Sequence, residues 1–173
     1  MTNVADETVA PYAASSVRFR KATTSDRSAL LALCAGYRRA DAQAQAPQLV
    51  TAALDAALSG DALVHVYIIE LLEESAQRGE GATMLVGYLA LTLGFSIESG
   101  GREAFVDELY VEPPVQGRGL GSQALRFAEV LCHELGVRRL RLEVERENIR
   151  AKKLYSALGY REHGRHLLSK LLG

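Results

Sequence analysis

The sequence predicts an α/β fold in which one central mixed β-sheet is flanked by helices, and three observations carry that prediction. A strand-like run, Ala104 to Val111, leads through a glycine-rich loop into a helix-like run ending near Leu135 and then a strand-like run from Arg138 to Glu145. Such a βαβ unit requires parallel strands and a right-handed crossover. Ahead of it, Ala62 to Leu71 and Met84 to Ile97 are apolar runs joined by the polar loop Glu73 to Gly81, for which antiparallel pairing is the economical solution. Helix-periodic segments precede these strands. At 173 residues the chain fits one domain that buries roughly two-thirds of its unfolded surface.

Taken in order, Met1 to Ser16 is rich in small and polar residues and reads as a loose tail, leaving 17–173 as the single domain. Val17 to Arg20 alternates like a strand, and Thr24 or Ser25 can cap a helix carrying Leu30, Leu31, Leu33, Cys34 and Tyr37. A second helix spans Pro47 to Gly60, after the Ala/Gln-rich stretch Ala40 to Ala46. Ser99 to Arg102 turns into the strand Glu103 to Val111, which is apolar on both alternating faces yet carries Asp107 and Glu108 side by side. Alternation would send one carboxylate to each face. In the following helix Leu120, Ala124, Ala128, Leu131, Cys132 and Leu135 form one stripe, and Gly136 ends it. The final run, Leu167 to Leu172, reads as a last strand covering a sheet edge or meeting a second copy, so a homodimer is permitted.

The loop Val115-Gln116-Gly117-Arg118-Gly119-Leu120-Gly121-Ser122 has the wiring of an anion cradle. Glycines let the backbone turn and approach a ligand, while the first amides of the next helix lack intrahelical partners and sit at the positive end of its dipole. A nucleoside-triphosphate loop needs Gly-Lys before Ser or Thr, and here Ser122 follows Gly121 directly. A dinucleotide fingerprint beginning at Gly117 and Gly119 meets Ser122 where its third glycine belongs. It stays as a lesser alternative.

A third pattern, Q/R-x-x-G-x-G/A, is met by Gln116, Gly119 and Gly121, and a second segment, Leu142 to Tyr160, follows at a fixed distance with Asn148, Ala151, Leu154-Tyr155 and Gly159-Tyr160 in order. On these residues the chain resembles the GCN5-related N-acetyltransferase (GNAT) family from about Ala104 to Tyr160, and more loosely, by element order, from Val17 onward. The resemblance implies the GNAT fold, whose mixed sheet is splayed open between its two parallel strands. It also implies acetyl-CoA as co-substrate, with pantetheine held by the backbone at Leu109, Tyr110 and Val111 and pyrophosphate by the loop from Gln116 to Ser122. Asn148 would contact the cofactor, and Tyr155 would protonate the leaving thiolate.

The base is open between the Asp107–Glu108 pair, with Glu108 the candidate carried forward, and Glu143, acting directly or through water. Glu108 lies on a strand covered on both sides, where desolvation raises a carboxyl pKa and suits it to take a proton from an ammonium. It resembles the acidic pair of polyamine acetyltransferases in the family. Glu143 matches the base of bacterial N-terminal acetyltransferases that modify ribosomal proteins. The blander readings are an arginine partner for Asp107 or Glu108, a surface position for Glu143, a core position for Tyr155 and a helix cap for Asn148.

A net charge of −1 gives no reason to expect nucleic acid or an anionic membrane surface, and no apolar run is long enough to span a bilayer. Cys34 and Cys132 fall in apolar helical runs and read as buried thiols of a cytoplasmic protein. Glu162-His163-Gly164-Arg165-His166 lacks the helix context of a zinc motif, so no metal is expected, and these histidines read as an exposed terminal hairpin. The expectation is therefore an N-acetyltransferase acting on a primary amine of a small molecule, such as a polyamine or aminoglycoside, or of a peptide. An acyl-CoA-binding sensor without activity and a dinucleotide-binding oxidoreductase are the alternatives.

Overall fold

The computed structural model of the chain describes residues 16–40, 46–73 and 82–170. Among the described residues there are five strands, β1 (Ser16–Lys21), β2 (Val64–Glu73), β3 (Ala82–Ser96), β4 (Gly101–Val111) and β5 (Arg139–Leu142), in the sheet order β1-β2-β3-β4-β5. The helices are α1 (Arg27–Ala40), α2 (Pro47–Leu58), α3 (Leu120–Glu134) and α4 (Ile149–Ala157). Neighbours from β1 to β4 pair antiparallel, whereas β4 and β5 are parallel, as the α3 crossover requires. The expected mixed α/β architecture is thus present. The chain divides into two compact units, one running to Leu142 and the other from Glu143 onward.

In the first unit the sheet is covered on both faces. On one, Leu30, Leu33 and Cys34 of α1 and Leu54 of α2 pack with Val66, Ile68, Tyr88, Ala90 and Tyr110. On the other, Leu120 and Ala124 of α3 pack with Ile69, Leu71, Val86 and Val115, joined by Leu109 and Val111. Burying about a dozen such side chains, each worth roughly 1.5–3 kcal/mol, fixes the sheet between its helices. β1 is held to β2 by charge as well. Glu70, only 3% exposed, accepts from Arg18 at 2.6 Å and Arg20 at 2.7 Å, and Arg20 continues to Asp26 at 2.7 and 2.8 Å.

Element boundaries differ from the sequence expectation where tertiary pairing decides them. The cap before α1 is Thr23 rather than Thr24 or Ser25: a 3-10 turn, Thr24–Asp26, precedes the helix, and Asp26 accepts from the Thr23 amide and hydroxyl at 2.8 and 2.9 Å. The last expected β5 residues, Glu143 to Glu145, are not in the strand. β4 pairs with β5 only from Glu103 to Val106, and the next β4 residue, Asp107, is the extra residue of a bulge against β3. No strand follows β5 among the described residues. The 161–170 stretch is exposed and irregular, with Leu167 and Leu168 74% and 90% exposed. A strand exists only where a neighbour completes its ladder. The expected tail, Met1 to Ser16, lies outside the described residues except for Ser16, which belongs to β1. So do 41–45, most of the loop 73–81, and the end of the Leu167 to Leu172 run.

Candidate active site

The bulge in β4 organises the site. Val106 pairs with Leu91 and Glu108 with Ala90, two adjacent β3 residues that point to opposite faces. The alternation expected along β4 therefore breaks at Asp107, so that Val106 and Glu108 lie on opposite faces. Glu108 lies on the α1–α2 side, the side of Ala90, and accepts a hydrogen bond at 2.5 Å from the hydroxyl of Tyr88. Asp107 is exposed, although enough protein surrounds it for desolvation to raise its pKa.

Around this pair the α1–α2 side is aromatic. The Tyr110 ring lies 6.2 Å from that of Tyr88 and 6.4 Å from that of Tyr37, and its hydroxyl donates to Glu112 at 3.2 Å. Burial, then the Glu108 charge, pushes the Tyr88 pKa far up, so its hydroxyl remains a donor. The Cys34 thiol is raised chiefly by burial.

Beyond the bulge, no strand pairs with the far edge of β4 among the described residues. The Glu112 amide reaches back to Val86 O at 2.8 Å, so by alternation Leu109 and Val111 turn their amides and carbonyls toward the side that β5 has left. Gln116 lies on that side and its Nε2 donates to Val111 O at 2.8 Å. Tyr110 behaves differently from its two neighbours. Its backbone faces β3, and its side chain packs so closely on α1 that a Cβ on Gly36 would sit 2.5 Å from the hydroxyl.

The loop from Gln116 to Ser122 turns at its glycines and leads into the start of α3. Gly117 and Gly119 have φ of 84° and 80°, a left-handed region that favours glycine. Gly119 is the N-cap of α3 and provides no side-chain cap, so the first amides of the helix, from Leu120, Gly121 and Ser122, keep the unsatisfied pattern of a helix start. Gln116, Gly117, Arg118 and Gly119 are exposed, while Leu120 is buried against the sheet. These residues fit a pyrophosphate group just past the β4 segment that β5 leaves unpaired.

In the second unit, Asn148 caps α4 through Oδ1, which accepts from the Ala151 amide at 3.0 Å. Tyr155 is half-buried, its ring 5.9 Å from that of Tyr160, and burial raises its pKa. Glu143 is exposed and outside any strand. The first unit thus gathers Glu108, Leu109, Val111 and the loop from Gln116 to Ser122, and the second carries Glu143, Asn148 and Tyr155. Sequence reasoning missed Tyr88, whose partnership with Glu108 depends on the β3–β4 register. No group of three metal-capable side chains occurs among the described residues.

The profile of the acetyltransferase (GNAT) family matches residues 65–160, more than half of the chain and including the cradle and α4. The chain belongs to this family. It is 30% identical over 146 residues to the uncharacterized N-acetyltransferase YhfO of Bacillus subtilis (strain 168), a match covering 84% of this chain and 91% of that protein. It is 33% identical over 95 residues to thialysine N-epsilon-acetyltransferase of Bos taurus, covering 55% of this chain and 54% of that one. Among solved structures, an integron cassette protein from the mobile metagenome of Cole Harbour Salt Marsh is 32% identical with a TM-score of 0.69, each chain 90% covered. This GNAT acetyltransferase therefore has relatives across nearly its full length.

Proposed function

We propose that this GNAT protein transfers the acetyl group of acetyl-CoA directly to a primary amine of a small molecule or peptide. The observation that carries the reading is the coincidence of a β4 segment left unpaired by β5 with an uncapped helix start at Gly119, on a strand whose Glu108 carboxylate is held by a tyrosine. Acetyl-CoA supplies the acetyl thioester. The amides of Leu120 to Ser122 would hold its pyrophosphate, and the β4 backbone at Leu109 and Val111 would run along its pantetheine arm. Because Gln116 engages the Val111 carbonyl, Val111 would contribute its N–H.

In the balanced reaction the amine nitrogen bonds to the acetyl carbon and the carbon–sulfur bond breaks. One proton leaves the amine and one reaches the departing sulfur. Glu108 is the group we assign to the first transfer, directly or through water, since it lies on the aromatic α1–α2 side that a cationic aminoalkyl acceptor suits. Tyr155 is assigned to the second on the family resemblance of the segment from Asn148 to Tyr160, and burial leaves its phenol protonated and so able to donate. Asn148, which caps α4, would keep that helix in register, and exposed Glu143 remains a second candidate base.

Acidic acceptor-side groups support a cationic acceptor, as does the thialysine activity named for the bovine relative. Two free, buried thiols support a cytoplasmic setting. The test is CoA release with polyamines, aminoglycosides, amino acids and short peptides. Turnover confined to one amine class, and lost in Glu108→Gln, supports the reading. Undiminished turnover in Glu108→Gln assigns the base elsewhere, with Glu143→Gln as the next variant.

A further inference from the structure

The α1–α2 side of the sheet holds a polar contact that neither the family resemblance nor the fold requires. Tyr88 is 1% exposed, sits in mid-β3 among Leu30, Leu33, Cys34 and Ile68, and gives its hydroxyl to Glu108 Oε2 at 2.5 Å. A phenol so deeply buried needs a partner for its hydroxyl, and a backbone carbonyl would serve packing as well as a carboxylate does. The partner is instead the carboxylate assigned above as base, on the strand where the bulge turns it to this side. We infer that Tyr88 is a positioning residue for the acetyl-transfer reaction, its hydroxyl holding the Glu108 carboxylate in one orientation toward the acceptor amine.

The inference rests on Glu108 acting as the base. A hydrogen bond donated to a carboxylate favours its ionised form, so Tyr88 keeps Glu108 ready to accept a proton at lower pH than it otherwise could. Burial and the neighbouring negative charge prevent Tyr88 itself from ionising near neutrality, so it can act only as donor. The charged and titratable groups around the pair include Cys34 and Arg38 of α1 and Asp107 and Tyr110 of β4. Cys34 stays a neutral thiol because burial raises its pKa, and Tyr110 stays a neutral phenol for the same reason. Asp107, whose pKa is raised, is common to parent and variant and does not distinguish them.

The experiment is the pH dependence of kcat/KM for CoA release, with the best amine of the panel, in the parent, Tyr88→Phe, Glu108→Gln and the double variant. Tyr88→Phe keeps an aromatic ring in the core and removes the hydroxyl, which also contacts the neutral Cys34 thiol. We expect the acid limb of Tyr88→Phe to move up by about one pH unit, a loss of about tenfold below the limb, with KM for acetyl-CoA unchanged. In the Glu108→Gln background the same change should add no further loss. An unmoved acid limb in Tyr88→Phe, while Glu108→Gln is inactive, would reduce Tyr88 to packing and leave the base assignment standing. Parental activity and pH profile in Glu108→Gln would overturn both. The Glu108 carboxyl carbon, titrated by NMR in parent and Tyr88→Phe without any acceptor, gives an independent answer: its pKa must rise in the variant, and an unchanged pKa refutes the inference even if activity is lost for other reasons.

Discussion

At Tyr155 one oxygen atom separates acid catalysis from packing. Tyr155→Phe preserves the half-buried ring and its contact with Tyr160, so a packing role predicts little change. The assigned acid role predicts that kcat falls by roughly 10²-fold, as general acid–base contributions do, while KM for acetyl-CoA is retained. Steady-state kinetics of the parent and variant decide between them. Single residues were legible where their chemistry is local. Asn148 caps a helix whose start follows in sequence, and the glycines at 117 and 119 mark left-handed turns. Tyr88 was illegible because its partner lies twenty residues away across a register that only the folded sheet defines.

Two predictions belong to elements. The N-terminus of α3 requires φ of 80° at Gly119, and a Cβ there would meet nothing within 4 Å, so Gly119→Ala is strained by backbone conformation alone. It should cost about 1–2 kcal/mol in urea unfolding and raise KM for acetyl-CoA several-fold without a matching fall in kcat. The second concerns β1 and the turn that follows it. Hydrogen bonds from Arg20 hold Asp26 well below the ordinary carboxylate range, and Arg18 and Arg20 lower Glu70 despite burial, which alone would raise it. Since both folded-state values are depressed, their stabilisation is present above the unfolded pKa of about 4 and is lost as pH falls below it. The urea midpoint should therefore hold between pH 7 and 5 and drop below pH 4. Asp26→Asn should be less stable at pH 7 by about 1–3 kcal/mol and show a shallower acid decline. Element order and type were readable from periodicity and turn chemistry. The bulge at Asp107, the early end of β5 at Leu142 and the irregular 161–170 stretch were not, because each depends on which backbone groups find a partner across the sheet.

For the whole molecule, ligand linkage separates the family chemistry from the dinucleotide alternative. A ligand at a hundred times its Kd stabilises by about 2.7 kcal/mol, which in a chain of this size raises Tm by several degrees. Acetyl-CoA should do so and NAD should not. The reverse pattern in a thermal shift would favour the dinucleotide alternative. The cradle that makes this prediction lies within the first unit, in the β4–loop–α3 segment most clearly legible in the sequence. The acceptor side is less legible, since α1, α2 and the bulged strand meet there only in the fold. The most direct test of the account is CoA release from acetyl-CoA by the full chain across polyamines, aminoglycosides, amino acids and short peptides. Turnover on one amine class, with a stoichiometric N-acetylated product, is the predicted result; tight binding of acetyl-CoA with no turnover on any acceptor would contradict it and favour an acyl-CoA-binding sensor.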